Sequence, residues 1–208
     1  MNTKNIVIIP GLGCTIDIWK KTKTNQISIY HYLKNHTIID LTLSIDKFKL
    51  DIDSLMKYIH HFIPDNSYIL SNSFGCIISI LYTYRYPHKI KGILMIDPTT
   101  KNEQYRFKRI KDSYIADNLK ILLYNSLDIK YLKCPIIIHT NIPFKKFTNP
   151  YKKISNYSIF NMLNDKFKYL KLLSNNPKSN IIMHPNSEHF IQQTECEKIK
   201  CSIDYLIN

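Results

Sequence analysis

A serine at a turn, a glycine-bearing loop and a late histidine are the residues here that could do chemistry together. In Tyr68-Ile69-Leu70-Ser71-Asn72-Ser73-Phe74-Gly75-Cys76-Ile77 an apolar strand runs into a tight turn and then at once into a helix. A serine nucleophile needs that geometry, because the strained turn lifts Oγ above the sheet edge and small neighbours keep its approach open. The new helix aims its unpaired N–H groups and the positive end of its dipole at the reacting oxygen. The usual pattern is G-x-S-x-G; here Ser71 holds the first position and Gly75 the last.

A second signal is Ile8-Ile9-Pro10-Gly11-Leu12-Gly13-Cys14, followed by Trp19. A glycine loop directly after a strand can turn backbone N–H groups inward, so the Leu12 and Phe74 N–H groups are the candidates for an oxyanion hole. Three of the four glycines, Gly11, Gly13 and Gly75, fall in these two loops. The Gly-x-Gly pair lacks the third glycine and the acidic residue of a dinucleotide fingerprint. In Ile182-Met183-His184-Pro185-Asn186-Ser187-Glu188-His189-Phe190 a strand ends and a short loop carries His189 to the start of the last helix. From there an imidazole can reach over the sheet edge and take the Ser73 proton.

Such residues need a scaffold that brings strand ends to one edge. Strands are expected at 5–10, 36–40, 67–71, 92–97, 135–140 and 180–184. Most are unbroken apolar runs, the pattern of strands buried on both faces of a parallel sheet. A helix over 74–86 places Ile77, Ile80, Leu81 and Tyr84 on one face and ends before Pro87. A last helix over 188–207 repeats Cys196, Ile199, Ile203 and Leu206. Strand–helix alternation predicts an α/β fold, a mostly parallel sheet with helices on both faces. The chain reads as one domain, 1–208, with 98–134 as a lid insertion, helical at 113–127. The segment 141–178 is similar, with a helical run at 159–173. Long insertions on the rim of such a sheet often cover a site.

Taken in order, these segments resemble the α/β-hydrolase superfamily, in particular its single-domain serine esterase and lipase branch. The likeness runs through Pro10-Gly11-Leu12-Gly13 with Trp19, Ile39-Asp40, and Leu70-Ser71-Asn72-Ser73-Phe74-Gly75. It continues through Tyr86-Pro87-His88-Lys89-Ile90-Lys91-Gly92-Ile93-Leu94-Met95-Ile96-Asp97-Pro98, Lys133-Cys134-Pro135 and Asn186-Ser187-Glu188-His189-Phe190. The resemblance implies Ser73 as nucleophile, His189 as base, and Leu12 and Phe74 as the oxyanion hole. The chain departs from the pattern at Pro10, where the family often has His, and at Ser71. It also lacks the acid usually found after the strand at 135–140, for no carboxylate occurs between Asp128 and Asp165. Asp97, at a strand end where some members keep their acid, is the residue expected to orient His189; Asp165 and a Ser73–His189 dyad with no carboxylate are the alternatives.

Composition bounds the rest. In 208 residues, 22% are charged and 44% hydrophobic, which excludes a wholly disordered chain. No apolar stretch approaches the roughly 18 residues of a membrane span, and the start of the chain does not read as a signal peptide. Five cysteines without C-x-x-C spacing suggest reduced thiols and a cytoplasmic setting. His184, His189, Cys196 and Cys201 match no common zinc spacing, so no metal and no cofactor is expected. Cys76 reads as packed core. The net charge is +13, and residues 98–175 hold 15 basic and 5 acidic side chains, a local +10. With one alanine, one valine and abundant Ile, Lys, Asn and Tyr, much of that excess reads as codon bias. It leaves an anionic substrate or a membrane surface open as partners of an ester- or acyl-bearing small molecule, and nucleic acid is not expected. Two functions follow: a serine hydrolase of carboxylic esters or thioesters, or a non-catalytic binding protein of the same fold with a basic face.

Overall fold

The computed structural model describes residues 3–141, 164, 168, 176–185 and 187–208. Six parallel strands form one sheet: β1 (Asn5–Ile9), β2 (Thr37–Asp40), β3 (Ser67–Asn72), β4 (Ile90–Ile96), β5 (Ile136–Asn141) and β6 (Asn180–His184). Their order is β2-β1-β3-β4-β5-β6, and every neighbouring pair is parallel. All six coincide with the expected strands to within two residues at each end.

The unbroken apolar runs have the cause the sequence suggested. Val7, Ile9, Ile69, Met95 and Ile138 point to one face, while Ile6, Ile8, Leu70, Leu94 and Ile137 point to the other. Each face is then covered. On the first lie α3 (Ile52–His60), α4 (Phe74–Arg85) and α5 (Ser113–Asp128). On the second lie α1 (Asp17–Lys20), α2 (Ile29–Tyr32), α6 (Ile191–Thr194) and α7 (Cys196–Ile207). Each fully buried Ile or Leu contributes about 1.5–3 kcal/mol relative to exposure, so the two faces dominate stability. The chain leaves β1 toward β2 on one side and leaves β3 toward β4 on the other. The order reverses there, and in open α/β sheets such a switch point at the strands' carboxyl ends is where ligands bind.

Two expectations are revised. The last helix does not run unbroken over 188–207. It splits at Glu195 (φ −120°, ψ 40°) into α6 and α7, and residues 187–190 are loop. At the break the Glu195 carboxylate accepts from the Ser187 hydroxyl across the loop and pairs with the Lys198 amine. The segment 98–134, expected as a lid, divides in two. Ile115, Leu119, Leu122 and Leu123 of α5 are buried in the core beside α4, so α5 belongs to the helical layer. Residues 98–110 stay at the carboxyl end of β4, where Phe107 packs on Phe74. The helical run at 159–173 and Asp165 lie outside the described residues, Asn164 and Lys168 excepted.

Candidate active site

Ser73 follows β3 directly and caps α4 with φ 52° and ψ −123°. A side chain at positive φ costs of order 1–3 kcal/mol and persists only where its surroundings enforce it. Here the Ser73 N–H donates to the Ile96 carbonyl at 2.9 Å, and the Ser73 carbonyl accepts from the N–H groups of Cys76 at 3.1 Å and Thr99 at 3.3 Å. Gly75 allows the tight start of α4, for a Cβ there would lie 2.2 Å from the Ile9 carbonyl oxygen and 2.7 Å from that of Pro10. Ser71 is fully buried, so the small hydroxymethyl fits where glycine is usual. Beside it, burial pushes the Cys76 thiol up to about 12, which leaves it a protonated core group rather than a rival nucleophile.

The glycine loop of β1 packs against this turn. The Gly11 N–H donates to Asn72 Oδ1 at 3.1 Å, and a Cβ on Gly11 would come within 3.0 Å of Ser73 Cβ. The Cys14 N–H closes the loop onto the Gly11 carbonyl at 2.9 Å, with Leu12 in between. Phe74 opens α4, where the first N–H groups have no acceptor within the helix. Its ring is buried edge-on against Phe48 and Phe107, with centroids 5.7 and 5.6 Å away, which fixes the residue whose N–H sits beside Ser73.

The histidine approaches from the other end of the chain. His189 Nδ1 lies 2.6 Å from Asp97 Oδ2, across 92 residues of sequence. Asp97 stands just past β4 at φ 44° and is 8% exposed. Strand β5 holds it there: the Asp97 N–H donates to the His139 carbonyl at 2.7 Å, and Oδ1 accepts from the Asn141 N–H at 3.2 Å and the Thr140 hydroxyl at 3.4 Å. A carboxylate so supported fixes the imidazole with Nδ1–H toward it and leaves Nε2 free to accept a proton. The loop bearing His189 is further tied by an ion pair between Glu188 and Lys23.

Ser73, Leu12, Phe74, Asp97 and His189 thus converge on the carboxyl edge of the sheet. The Ser73 hydroxyl is bonded to the Thr99 hydroxyl at 3.3 Å, and among the described residues no hydrogen bond joins it to His189. Unliganded sites often tighten such contacts only when substrate arrives. Thr99, Thr140, Asn141 and His139 were not singled out from sequence. His139 alone carried a signal, a polar residue ending the apolar run Ile136-Ile137-Ile138.

No protein-family model matches the chain, and no curated protein matches it by sequence. Solved structures do match. A hydrolase from Oleispira antarctica is similar at TM-score 0.59 and 11% identity, over 100% of this chain and 92% of that one. An epoxide hydrolase from Bacillus megaterium gives 0.60 and 13%, over 100% and 94%. The carboxylesterase CesB from Bacillus subtilis gives 0.60 and 9%, over 99% and 84%. The chain has the α/β-hydrolase fold. In this α/β-hydrolase fold the carboxylate bonded to the late histidine comes from the end of β4, and Asn141, closing β5, supplies a backbone N–H to it instead of an acid.

Proposed function

We propose that the protein is a serine hydrolase that cleaves a carboxylic ester or thioester through an acyl-enzyme on Ser73. The observation that carries this reading is the 2.6 Å contact of Asp97 Oδ2 with His189 Nδ1, on the same sheet edge as a serine at positive φ. His189 Nε2 takes the Ser73 proton as Oγ bonds to the substrate carbonyl carbon. The Leu12 and Phe74 N–H groups receive the oxyanion. Collapse of that adduct breaks the bond to the leaving alkoxide or thiolate, which takes the proton from His189. Water, deprotonated by His189, then attacks the acyl-enzyme; the second adduct collapses, releasing the acid and restoring Ser73. Asp97 orients the ring and stabilises the imidazolium. The apolar, tyrosine-rich segment that follows β4 supports a hydrophobic acyl group on a small-molecule substrate. The five free cysteines fit a reducing, cytoplasmic setting.

The test is reaction with a fluorophosphonate probe and hydrolysis of short p-nitrophenyl esters. Labelling on Ser73 that disappears in Ser73→Ala, together with ester turnover, supports the reading. One observation favours the second reading, a non-catalytic binding protein: the Ser73 hydroxyl is bonded to Thr99 and, among the described residues, not to His189. A wild-type protein that neither labels nor turns over esters decides for it.

A further inference from the structure

Behind the site lies a buried chain of polar side chains that the proposed reaction does not use. His139 is fully buried and uses both ring nitrogens: Nδ1 meets His184 Nε2 at 2.8 Å, and Nε2 meets Ser202 Oγ at 2.8 Å. The two imidazoles are stacked, with centroids 5.0 Å apart. His184 is 2% exposed, and its Nδ1 has no hydrogen-bond partner among the described residues but faces Glu195 Oε2 at 4.0 Å. Glu195 in turn accepts from the Ser187 hydroxyl at 3.1 Å and pairs with Lys198 at 2.9 Å.

The carboxylate sets the direction of this chain. An N–H on His184 Nδ1 pointing at Glu195 is favourable, and a lone pair there is not. His184 Nε2 is then the acceptor, so His139 Nδ1 carries the proton, and His139 Nε2 accepts from the Ser202 hydroxyl. Both rings are neutral and each has one defined tautomer. Burial, foremost, holds both imidazoles below their ordinary range, which agrees with that assignment.

The placement of the chain matters more than its existence. His184 ends β6 just before the loop that carries His189, Ser187 lies within that loop, and Glu195 follows it at the far end of α6. His139 is the β5 residue whose carbonyl accepts from the Asp97 N–H, and the next two residues hold Asp97 Oδ1. One buried network therefore grips both halves of the Asp97–His189 contact from behind. We infer that His139 and His184, closed by Ser202 and Glu195, are positioning residues that hold Asp97 and His189 in register for the reaction on Ser73. The inference rests on the proposed role of those three residues, but its first readout does not.

That readout is the proton on His189 Nδ1, which a short bond to Asp97 moves downfield of ordinary imidazole N–H signals in an NMR spectrum. Asp97→Asn assigns the resonance. It is expected to broaden or move upfield in His184→Leu, to survive in His184→Gln, whose amide can still accept from His139, and to weaken in Glu195→Gln. In parallel, kcat for short esters falls about ten- to a hundredfold in His184→Leu with KM little changed, and recovers in His184→Gln. An unaltered resonance and kcat in folded His184→Leu and in Glu195→Gln overturn the inference. If His184→Leu does not fold, Glu195→Gln, at a half-buried position, decides alone. Should Ser73→Ala leave ester hydrolysis intact, the catalytic reading fails and the resonance still decides whether the network positions His189.

Discussion

Asp97 engages both carboxylate oxygens, one with β5 and one with His189. Asp97→Asn keeps the size and the bonds to β5 but can present an amide N–H to His189, turning the ring to the wrong tautomer. Its kcat is expected to fall about 10²- to 10⁴-fold with little change in thermal stability; loss below tenfold in steady-state kinetics removes Asp97 from the reaction. Thr99→Val frees the Ser73 hydroxyl from its resting partner. A competing hydrogen bond of about 1 kcal/mol corresponds to about a fivefold rise in fluorophosphonate labelling rate, whereas a drop in that rate assigns Thr99 an orienting role. Ser73, Leu12, Phe74 and His189 were legible as candidates because each sits in a local pattern of turn and helix start. The partner of His189 was legible only as a preference for Asp97, since Asp165 and a bare dyad also fit the sequence. Only the fold brings β4 and the β6 loop together. Thr99 had no local signal at all, because its contact depends on the turn made by Asp97 at φ 44°.

The strands were legible almost to the residue because burial on both faces demands unbroken Ile and Leu runs, and few other structures do. Helix ends were less so. The apolar face of α7 was read correctly from Cys196, Ile199, Ile203 and Leu206, all now buried. The break at Glu195 was missed because the apolar spacing continues through it and no proline or glycine marks it. The core role of α5 was missed because length and charge resembled an insertion, while its packing on α4 is a tertiary fact. Two predictions belong to this scale. Gly75→Ala drives a Cβ into the Ile9 and Pro10 carbonyls, both backbone atoms that cannot step aside. It should cost about 1–3 kcal/mol or more in urea unfolding and abolish probe labelling, as α4 and the end of β1 are forced apart. The exposed Lys108, Arg109 and Lys111, neutralised together, should leave short neutral esters turned over at near wild-type kcat; a large loss assigns those charges to organising the site.

Across the molecule, acid is the condition that separates the buried histidines from the surface charge. Burial, foremost, with His184 and Lys198 adding to it, lowers His139 from its ordinary 6.5 to about 3. The unfolded chain therefore binds a proton that the folded chain refuses between those values. Stability contributed by neutral His139 is fully present above about pH 6.5 and is lost as pH falls toward 3, with a slope of up to about 1.4 kcal/mol per pH unit. Urea midpoints measured across that window should decline less steeply in His139→Gln than in wild type, and identical slopes would show that His139 titrates normally.

Strand β6 has a consequence in the order of opening. Among the described strands it pairs with β5 alone, whereas β1, β3, β4 and β5 have neighbours on both sides. Edge elements open by local fluctuations far smaller than global unfolding, and amide exchange reports them. The Ser73 turn sits in the middle of the sheet, and His189 hangs from its margin. Fraying of β6 would carry off His189, the proposed base, while leaving Ser73, the proposed nucleophile, and most of the far-UV signal untouched. Under rising denaturant, the proposed site should come apart from its outer edge inward, with loss of ester hydrolysis running ahead of the melting of the sheet.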